Sequence, residues 1–375
     1  MKEALVKLAL GSLCLLVGPA SPAQSDTSPD TSGLQLEPTG PISPNRFGLA
    51  YRMGFNTHLS FRNLGGYAPV SSRLTPSGDP YNYDDGYVYN DPNQGAFGVT
   101  WYWGYDAAPG QYTLGSDALI MHRSSSQADL AANETVDSPS QGFEVTYNRE
   151  LVRSKRVRAG LEAAFGYTYL KAEDSQALRG DVTVARDSYE VPVDPSSGYG
   201  VTYFPTVSGT GQPYQHGFAL TPNLDNPVIG NSPTSLSSQT ISGGAQDIGS
   251  RSFHANLYGF RVGPYLGIPL SRRLGFDLSG GFALVYIQSE FSFNETVAIA
   301  GLSPQAYSGS SSASGWRPGG YVAGTFSYAF AEDWAVAAGA QFLDVGHYTH
   351  SAGGKEAVLD LTQSLFVTIG VSHSF

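Results

Sequence analysis

Hydrophobic and polar side chains alternate with a period of two over long stretches of this chain. From Phe47 to Phe61 the odd positions are mostly apolar, and the even positions carry glycine, alanine or polar side chains. This period predicts a β-strand, because a helix would mix the two sets of residues on every face. Strands of soluble proteins average about five or six residues. A run of this length instead favours a strand that crosses a membrane, which needs roughly 9 to 11 residues.

The same alternation recurs along the chain. In residues 157–169, Leu161 lies on the apolar face, while Arg158 and Glu162 lie on the opposite face. In residues 274–286, Leu278 and Asp277 are separated in the same way. The pattern predicts about ten strands, with a range of roughly eight to twelve, because residues 181–191 could form the outer part of a hairpin or a strand of their own. The predicted strands are residues 46–62, 97–105, 118–123, 143–151, 157–169, 253–268, 274–286, 320–330, 334–343 and 357–375.

One predicted strand changes its parity. Within residues 253–268 the apolar side chains move from odd to even positions near Gly259. A β-bulge inserts one extra residue into a strand, and it reverses which positions face each side. The change therefore predicts a bulge at Gly259.

The connections between the predicted strands are of two sizes. Short polar turns are predicted at residues 153–156, 271–273 and 331–333. Long segments rich in Gly, Ser, Pro and Asn lie at residues 63–95, 124–141, 172–250, 296–319 and 348–356. Outer-membrane barrels alternate short periplasmic turns with long extracellular loops. The predicted fold is therefore all-β, a closed antiparallel transmembrane β-barrel with both ends in the periplasm.

The N-terminal region predicts export. Residues 1–23 combine early lysines, an apolar run and small residues at the end, which is typical of a secretory signal peptide. Residues 24–45 are rich in Ser, Thr, Pro and Asp and predict a disordered periplasmic linker. Residues 46–375 form the predicted barrel. The one cysteine, Cys14, lies in the signal peptide, so no disulfide is expected in the exported chain.

Composition narrows the class further. The chain has 45 Gly, 23 Tyr and 19 Phe, only 14% charged residues and a mean hydropathy of −0.18. That mixture suits strands with one apolar and one wet face. The net charge of −11 argues against a nucleic-acid partner, because no basic cluster is present to neutralise phosphates.

The last predicted strand carries the most specific motif. Its apolar face is formed by Leu365, Val367, Ile369, Val371 and Phe375. An alternating final strand that ends in Phe resembles the C-terminal assembly signal of bacterial outer-membrane β-barrel proteins. The chain is similar in pattern to the small barrels of the OmpA, OmpX and OmpW kind. This resemblance implies an outer-membrane location in a Gram-negative cell envelope, with the barrel-insertion machinery, outer-membrane lipid and lipopolysaccharide as partners.

Charged side chains on the polar faces predict the content of the lumen. Barrels of about eight strands are just wide enough to be filled by side chains. Isolated buried ions are costly, so charges in that space are expected to be paired. The predicted lumen network consists of Arg52, His58, Arg62, Arg158, Glu144, Glu162, Asp277 and Asp360.

Candidates for chemistry are weak. His347 and His350 form an H-x-x-H without an evident third metal ligand. Asp84, Asp85 and Asp91 lie in an acidic, aromatic segment that does not match the spacing of a calcium loop. No catalytic motif is evident, so we expect no catalytic residues, no metal and no cofactor.

The predicted function is a structural or surface-interaction role without enzymatic activity, with the extracellular loops available for a surface ligand. Two alternatives stay open. One is a narrow porin-like channel for small solutes. The other is a barrel hydrolase similar to the omptin-like proteases, although His58 and His254 have no visible partner motif.

Overall fold

The computed structural model describes residues 44–69, 79–90, 98–100, 102–106, 110–112, 118–135, 139–154, 156–191 and 229–375. The predicted signal peptide and nearly all of the predicted linker lie outside these ranges. The regular elements within them are β-strands. None of the described residues forms a helix long and apolar enough to cross a membrane.

The strands, in chain order, are β1 (Asn45–Phe55), β2 (His58–Leu64), β3 (Asp79–Tyr83), β4 (Gly86–Asn90), β5 (Val99–Thr100), β6 (Trp103–Tyr105), β7 (Ala118–Ser126), β8 (Leu130–Thr135), β9 (Ser140–Arg153), β10 (Arg158–Asp174), β11 (Leu178–Glu190), β12 (Ile229–Gly230), β13 (Ser235–Pro269), β14 (Leu274–Ile299), β15 (Gln305–Ala329), β16 (Trp334–Asp344), β17 (His347–Ala352), β18 (Lys355–Asp360) and β19 (Ser364–Ser374).

Eight of these strands pair in a closed circuit, here called the ring. The order is β10-β9-β1-β19-β16-β15-β14-β13, and β13 pairs again with β10. Every pairing is antiparallel. The ring has fewer strands than the ten predicted. Within the predicted strand 97–105, the described residues form the short strands β5 and β6 in separate small sheets. Strand β7 pairs with β11 and with no strand of the ring among the described residues.

The register around the ring sets the tilt of its strands. Following paired residues once round the ring leads from Tyr286 of β14 to Phe276 of the same strand, a displacement of ten residues. The path passes through Tyr258, Tyr167, Phe143, Tyr51, Ile369, Ala338 and Phe326. Ten residues over eight strands correspond to a tilt of roughly 40 to 45°, which makes a narrow ring that side chains can fill.

Tight turns and the two chain ends lie at one end of the ring, here called the lower end. The amide of Phe375 donates to the carbonyl of Asn45 at 2.9 Å. The three turns predicted from sequence join β9 to β10, β13 to β14 and β15 to β16 at this end. At the upper end β13, β14 and β15 continue well beyond the ring, and β11 pairs with the extended part of β13.

The strand pair β1 and β19 leaves the ring at the upper end. Asn56, with a left-handed φ of 56°, separates β1 from β2. Residues 361–363 separate β18 from β19. The continuations β2 and β18 pair with each other in a second sheet of order β17-β18-β2-β8, here called the cap sheet. The predictions of single strands at 46–62 and 357–375 were therefore wrong, because the chain turns at both places.

The cap sheet packs against the inner face of the upper wall. Leu59 and Phe61 of β2 are buried with Phe253, Phe291 and other apolar residues of the wall. The rings of Phe61 and Phe291 stack with centroids 5.7 Å apart. The largest apolar core of the described residues therefore lies at the upper end, between the wall and the cap sheet.

This arrangement explains the change of parity in β13. The register runs without interruption through Gly259, which pairs with Gly166 and with Val285, so the predicted bulge is wrong. Odd residues face inward along this whole stretch. Above Gly259 the inward residues meet the apolar cap, as Phe253 does, and below it they meet a polar lumen, as Arg261 does. The parity of the inward-facing residues therefore stays the same along β13, and only the polarity of the surface that they contact changes.

Several predicted loops are ordered strands. Residues 178–190 of the predicted loop 172–250 form β11, and its C-terminal part belongs to β13. The predicted loop 296–319 consists of the end of β14, a short turn and the first half of β15. The open alternative of a strand at residues 181–191 agrees with β11, which covers most of that range. The other stretches were not predicted, because a strand in the two-layer packing above the ring has no consistently apolar outer face.

Candidate functional site

An ion-pair network crosses the lumen of the ring. Arg261 of β13 lies 2.5 Å from Glu144 of β9 and 3.7 Å from Glu162 of β10. Arg52 of β1 lies 3.3 Å from the other oxygen of Glu144. All four side chains are buried. The two arginines and two carboxylates balance in charge, which lowers the high cost of placing ions inside the ring.

A second group of charges lies nearer the lower end. Asp277 of β14 accepts a hydrogen bond of 2.5 Å from Arg46 of β1 and lies 3.8 Å from Arg158 of β10. Asp277 is 4% exposed, while both arginines are partly exposed. The group therefore ties three strands together where the lumen opens towards the turns.

The guanidinium of Arg52 is positioned by packing against Phe366 and Gly166 as well as by its ion pair with Glu144. It lies 3.7 Å from the ring centroid of Phe366, a cation–π contact with β19. A Cβ atom at Gly166 would collide with this guanidinium. Glycine at this position therefore makes room for the arginine in a crowded lumen.

Little free space remains around these groups. The lumen contains a cavity of about 60 Å³, bounded by side chains that include Glu162, Thr325 and Thr368. Glu162 also accepts hydrogen bonds of 3.0 Å from Asn148 and from Ser279. Such a volume holds a few water molecules and no solute of metabolite size.

The structure brings together five of the eight residues predicted for the lumen network: Arg52, Arg158, Glu144, Glu162 and Asp277. The other three, His58, Arg62 and Asp360, lie on strands of the cap sheet. His58 and Arg62 are exposed, and Asp360 lies 3.4 Å from His347. Their assignment to the lumen is therefore corrected, because the turn at Asn56 reverses which parity faces the core.

Sequence reasoning missed Arg46, Arg261 and Asn148. Arg46 and Arg52 share the same parity in β1, so extending the alternation by one residue would have found Arg46. Arg261 was hidden by the bulge wrongly predicted at Gly259. Asn148 shares the inward parity of Glu144 but is uncharged.

A second buried ionic cluster fastens the cap sheet to the wall. Arg251 of β13 contacts Asp174 at 2.6 Å, Asp247 at 2.8 Å and Glu295 at 2.6 Å. Lys355 of β18 lies 3.1 Å from the other oxygen of Glu295. Burial, followed by the neighbouring charge of Glu295, raises the pKa of Asp247. The cluster joins three wall strands to the cap, and the side chains of its four wall residues are inaccessible to solvent.

The two histidines of the H-x-x-H lie on opposite faces of β17, because an offset of three residues in a strand reverses the face. His347 is exposed near Asp360, whereas His350 is buried. The hydroxyls of Ser289 and Ser311 lie 2.8 and 2.9 Å from the two ring nitrogens of His350. Burial lowers the pKa of His350. Among the described residues no group of His, Cys, Asp and Glu has the arrangement of a metal site.

The acidic, aromatic segment is anchored to β7 through its carboxylates. Asp85 contacts the ring nitrogen Nδ1 of His122 at 2.6 Å. It also accepts a hydrogen bond of 2.9 Å from the backbone amide of His122. Asp84 accepts a hydrogen bond of 2.7 Å from the amide of Ser124. Asp91 lies outside the described residues. These two carboxylates therefore have a structural role, since they hold the β3–β4 hairpin against β7.

Comparisons with known proteins add little to this geometry. No protein-family model matches the sequence, and no curated protein is significantly similar to it.

One solved structure that matches is Ail, the attachment invasion locus protein of Yersinia pestis. It has 7% identity, the match covers 88% of this chain and 99% of that chain, and the TM-score is 0.28. The outer membrane protease OmpT from Escherichia coli has 10% identity, coverage of 92% and 100%, and a TM-score of 0.30. The toluene transporter TodX of P. putida has 8% identity, coverage of 90% and 91%, and a TM-score of 0.17. These TM-scores are too low to assign a fold or a function to this chain.

Proposed function

We propose that this protein is a β-barrel of a Gram-negative outer membrane, with a closed lumen and a structural or surface-interaction role without catalysis. The observation that carries the proposal is the outer face of the ring. Along each of four neighbouring strands, the outward side chains change from apolar to polar at an aromatic residue. These residues are Tyr167, with Tyr169 above it, on β10, Tyr258 on β13, Tyr286 on β14 and Trp316 on β15.

Strand β14 illustrates the change. Below Tyr286 its outward residues include the exposed Leu278 and Phe282, and above it they are Gln288 and Glu290. Aromatic residues at such a boundary are typical of membrane interfaces.

The apolar part of the ring has the height of a membrane. Leu274 and Tyr286 of β14 are twelve residues apart. At a rise of roughly 3.3 Å per residue and the tilt derived above, this corresponds to about 30 Å along the ring axis. Outer-membrane barrels carry an apolar band of about 25 Å.

The two ends of the ring suggest its orientation. The lower end has three tight turns, the first residue of β1 and the last residue of β19. The upper end carries the extended wall and the cap sheet. Outer-membrane barrels have short periplasmic turns and large extracellular connections. We therefore place the lower end in the periplasm and the upper end outside the cell, where a surface ligand would bind.

The interior supports a closed barrel in preference to a narrow channel. The charged network fills the middle of the lumen, and the cap sheet packs into its upper mouth. The two histidines that the hydrolase alternative would use, His58 and His254, lie outside the lumen. His58 is exposed on the cap sheet, and His254 lies on the outer face of the wall.

Planar-bilayer conductance tests the closed lumen. The purified protein should insert and give no steady conductance steps, because the charged network and the cap sheet both block the lumen. Steady steps from the unmodified protein would support the channel alternative and overturn the closed lumen.

Cysteine labelling tests the location and orientation. Cys14 is the only cysteine in the sequence, so single cysteines are easily followed. In intact cells an impermeant maleimide should label Ser308→Cys, which is exposed on the upper wall, and should spare Ser271→Cys in a lower turn. Labelling of Ser271→Cys should appear only after the outer membrane is opened. The opposite pattern would invert the topology.

A further inference from the structure

We propose that a groove on the outer wall, just above the aromatic boundary, binds the saccharide headgroup of an outer-leaflet glycolipid. This inference rests on the proposed function, since it requires the ring to span the outer membrane. The groove has a volume of about 540 Å³, which lies within the usual range for small-molecule sites. Its lining includes Tyr169 of β10, Asn256 of β13, Gln288 and Glu290 of β14, and Ser312 and Ser314 of β15.

The groove is built from cross-strand neighbours. Tyr169 pairs with Asn256, which pairs with Gln288, which pairs with Ser314. One step higher, Glu290 pairs with both His254 and Ser312. These rows stand on four adjacent strands with paired backbones, so the polar groups are held in fixed positions. The small serines on β15 leave the space that the larger side chains surround.

The tyrosines below the groove indicate its depth in the membrane. Tyr167 donates a hydrogen bond of 2.8 Å from its hydroxyl to Oδ1 of Asn256. Tyr286 stands in the same row, since it pairs with Tyr258, the neighbour of Tyr167. The polar end of the Tyr167 phenol therefore points up into the groove, while the tyrosine rings of this row border the apolar belt. Tyrosine takes this orientation where hydrocarbon meets lipid headgroups.

The chemistry of the lining favours sugar hydroxyls over phosphate. Asn256 and Gln288 can each donate and accept, as can the serine hydroxyls, which matches a ligand that does both. The described lining residues include Glu290 and neither Lys nor Arg. Lys171, the register neighbour of His254, lies 2.7 Å from Glu173. Sites for anionic headgroups instead gather basic residues.

The experiment uses the full protein reconstituted in lipid nanodiscs. The background lipid is phosphatidylethanolamine, doped in one arm with diglucosyl diacylglycerol and in another with phosphatidylglycerol of the same acyl chains. Native mass spectrometry then measures the lipids retained by the protein relative to the bulk mixture. We expect enrichment of the diglucosyl lipid by at least about fivefold and none of phosphatidylglycerol. A third arm adds free maltose, which should compete only at far higher concentration because it lacks the acyl chains.

Matched variants locate the site. Asn256→Leu combined with Gln288→Leu should reduce retention of the diglucosyl lipid to the bulk ratio. Gln246→Leu, an exposed glutamine higher on the wall, should leave retention unchanged. Equal enrichment of both lipids, no enrichment, or equal loss in the two variants would overturn the inference. If the protein fails to insert at all, the proposed function fails; if it inserts and retains no glycolipid, only this inference does.

Discussion

The side-chain amide of Asn56 donates a hydrogen bond of 3.0 Å to the backbone oxygen of Gln363. These residues stand where the paired strands β1 and β19 leave the ring. The bond therefore links the turn after β1 to the turn before β19. Beyond these turns β2 and β18 continue as a pair into the cap sheet. Asn is one of the residue types that tolerate the left-handed φ of 56° found at this turn.

Replacement of Arg261 by Met should strongly destabilise the ring. The change leaves Glu144 without its contact of 2.5 Å and removes the nearby cation from Glu162. Breaking a buried pair typically costs about 3 to 5 kcal/mol. Urea unfolding in detergent micelles measures the free energy of unfolding. Arg153→Met, which removes the partly exposed pair with Glu150, should cost less than about 1 kcal/mol. Similar losses in the two variants would argue against a tightly coupled lumen network.

Leu278 should contact lipid. The side chain is 45% exposed on the outer face of β14, so Leu278→Arg should cost roughly 2 to 4 kcal/mol of folding free energy in lipid vesicles. A lipid-phase probe should label cysteine at position 278 and spare cysteine at the neighbouring position 277, which faces the lumen. The same contrast is expected between positions 161 and 162. Equal labelling within either pair would contradict the assigned facing.

Phe375 should be needed for assembly. The residue is exposed at the lower end, and the ring of His373 lies between those of Trp334 and Phe375. Phe375→Ala should reduce the amount of folded protein in the outer membrane several-fold, as measured by heat-modifiable migration in gels. Phe330→Ala, at another exposed phenylalanine of the lower end, should have a smaller effect. Equal yields of the two variants would count against a specific role for the terminal residue.

The cap should loosen as the pH falls. Burial lowers the pKa of His350 below its usual value of 6.5, so the folded protein holds the ring neutral. The unfolded chain binds the proton more readily. The stability contribution is therefore complete above about pH 6.5 and is lost as the pH falls towards the folded pKa.

Hydrogen exchange of β17 amides measures this loss of protection between pH 7.5 and 5.5. His350→Gln should make the protection of these amides nearly independent of pH. His347→Gln, on the exposed face of the same strand, should keep the dependence of the unmodified protein. An unmodified protein without this dependence, or one that loses it in both variants, would exclude His350 as the titrating group.

The cap sheet could not be predicted from the sequence. Leu59 continues the apolar parity of β1, and nothing in the alternation distinguishes the two strands. Only the turn at Asn56 separates them, and it moves Leu59 from an expected lipid-facing position into the core under the cap. His58 and Arg62 change sides for the same reason.

The period of two determined the facing of residues within the ring, as for Leu161 outside and Glu162 inside, because side-chain direction in a strand is a local property of the backbone. It also located the short turns, where polar residues interrupt the alternation. Tertiary structure alone decided which strands close the ring, where the cap folds in, and which charges meet. Arg251 contacts Asp174 and Glu295, which lie 77 and 44 residues away along the chain. Such contacts depend on register and on the polarity of the opposing layer, and neither is encoded in the neighbours of a residue along the chain.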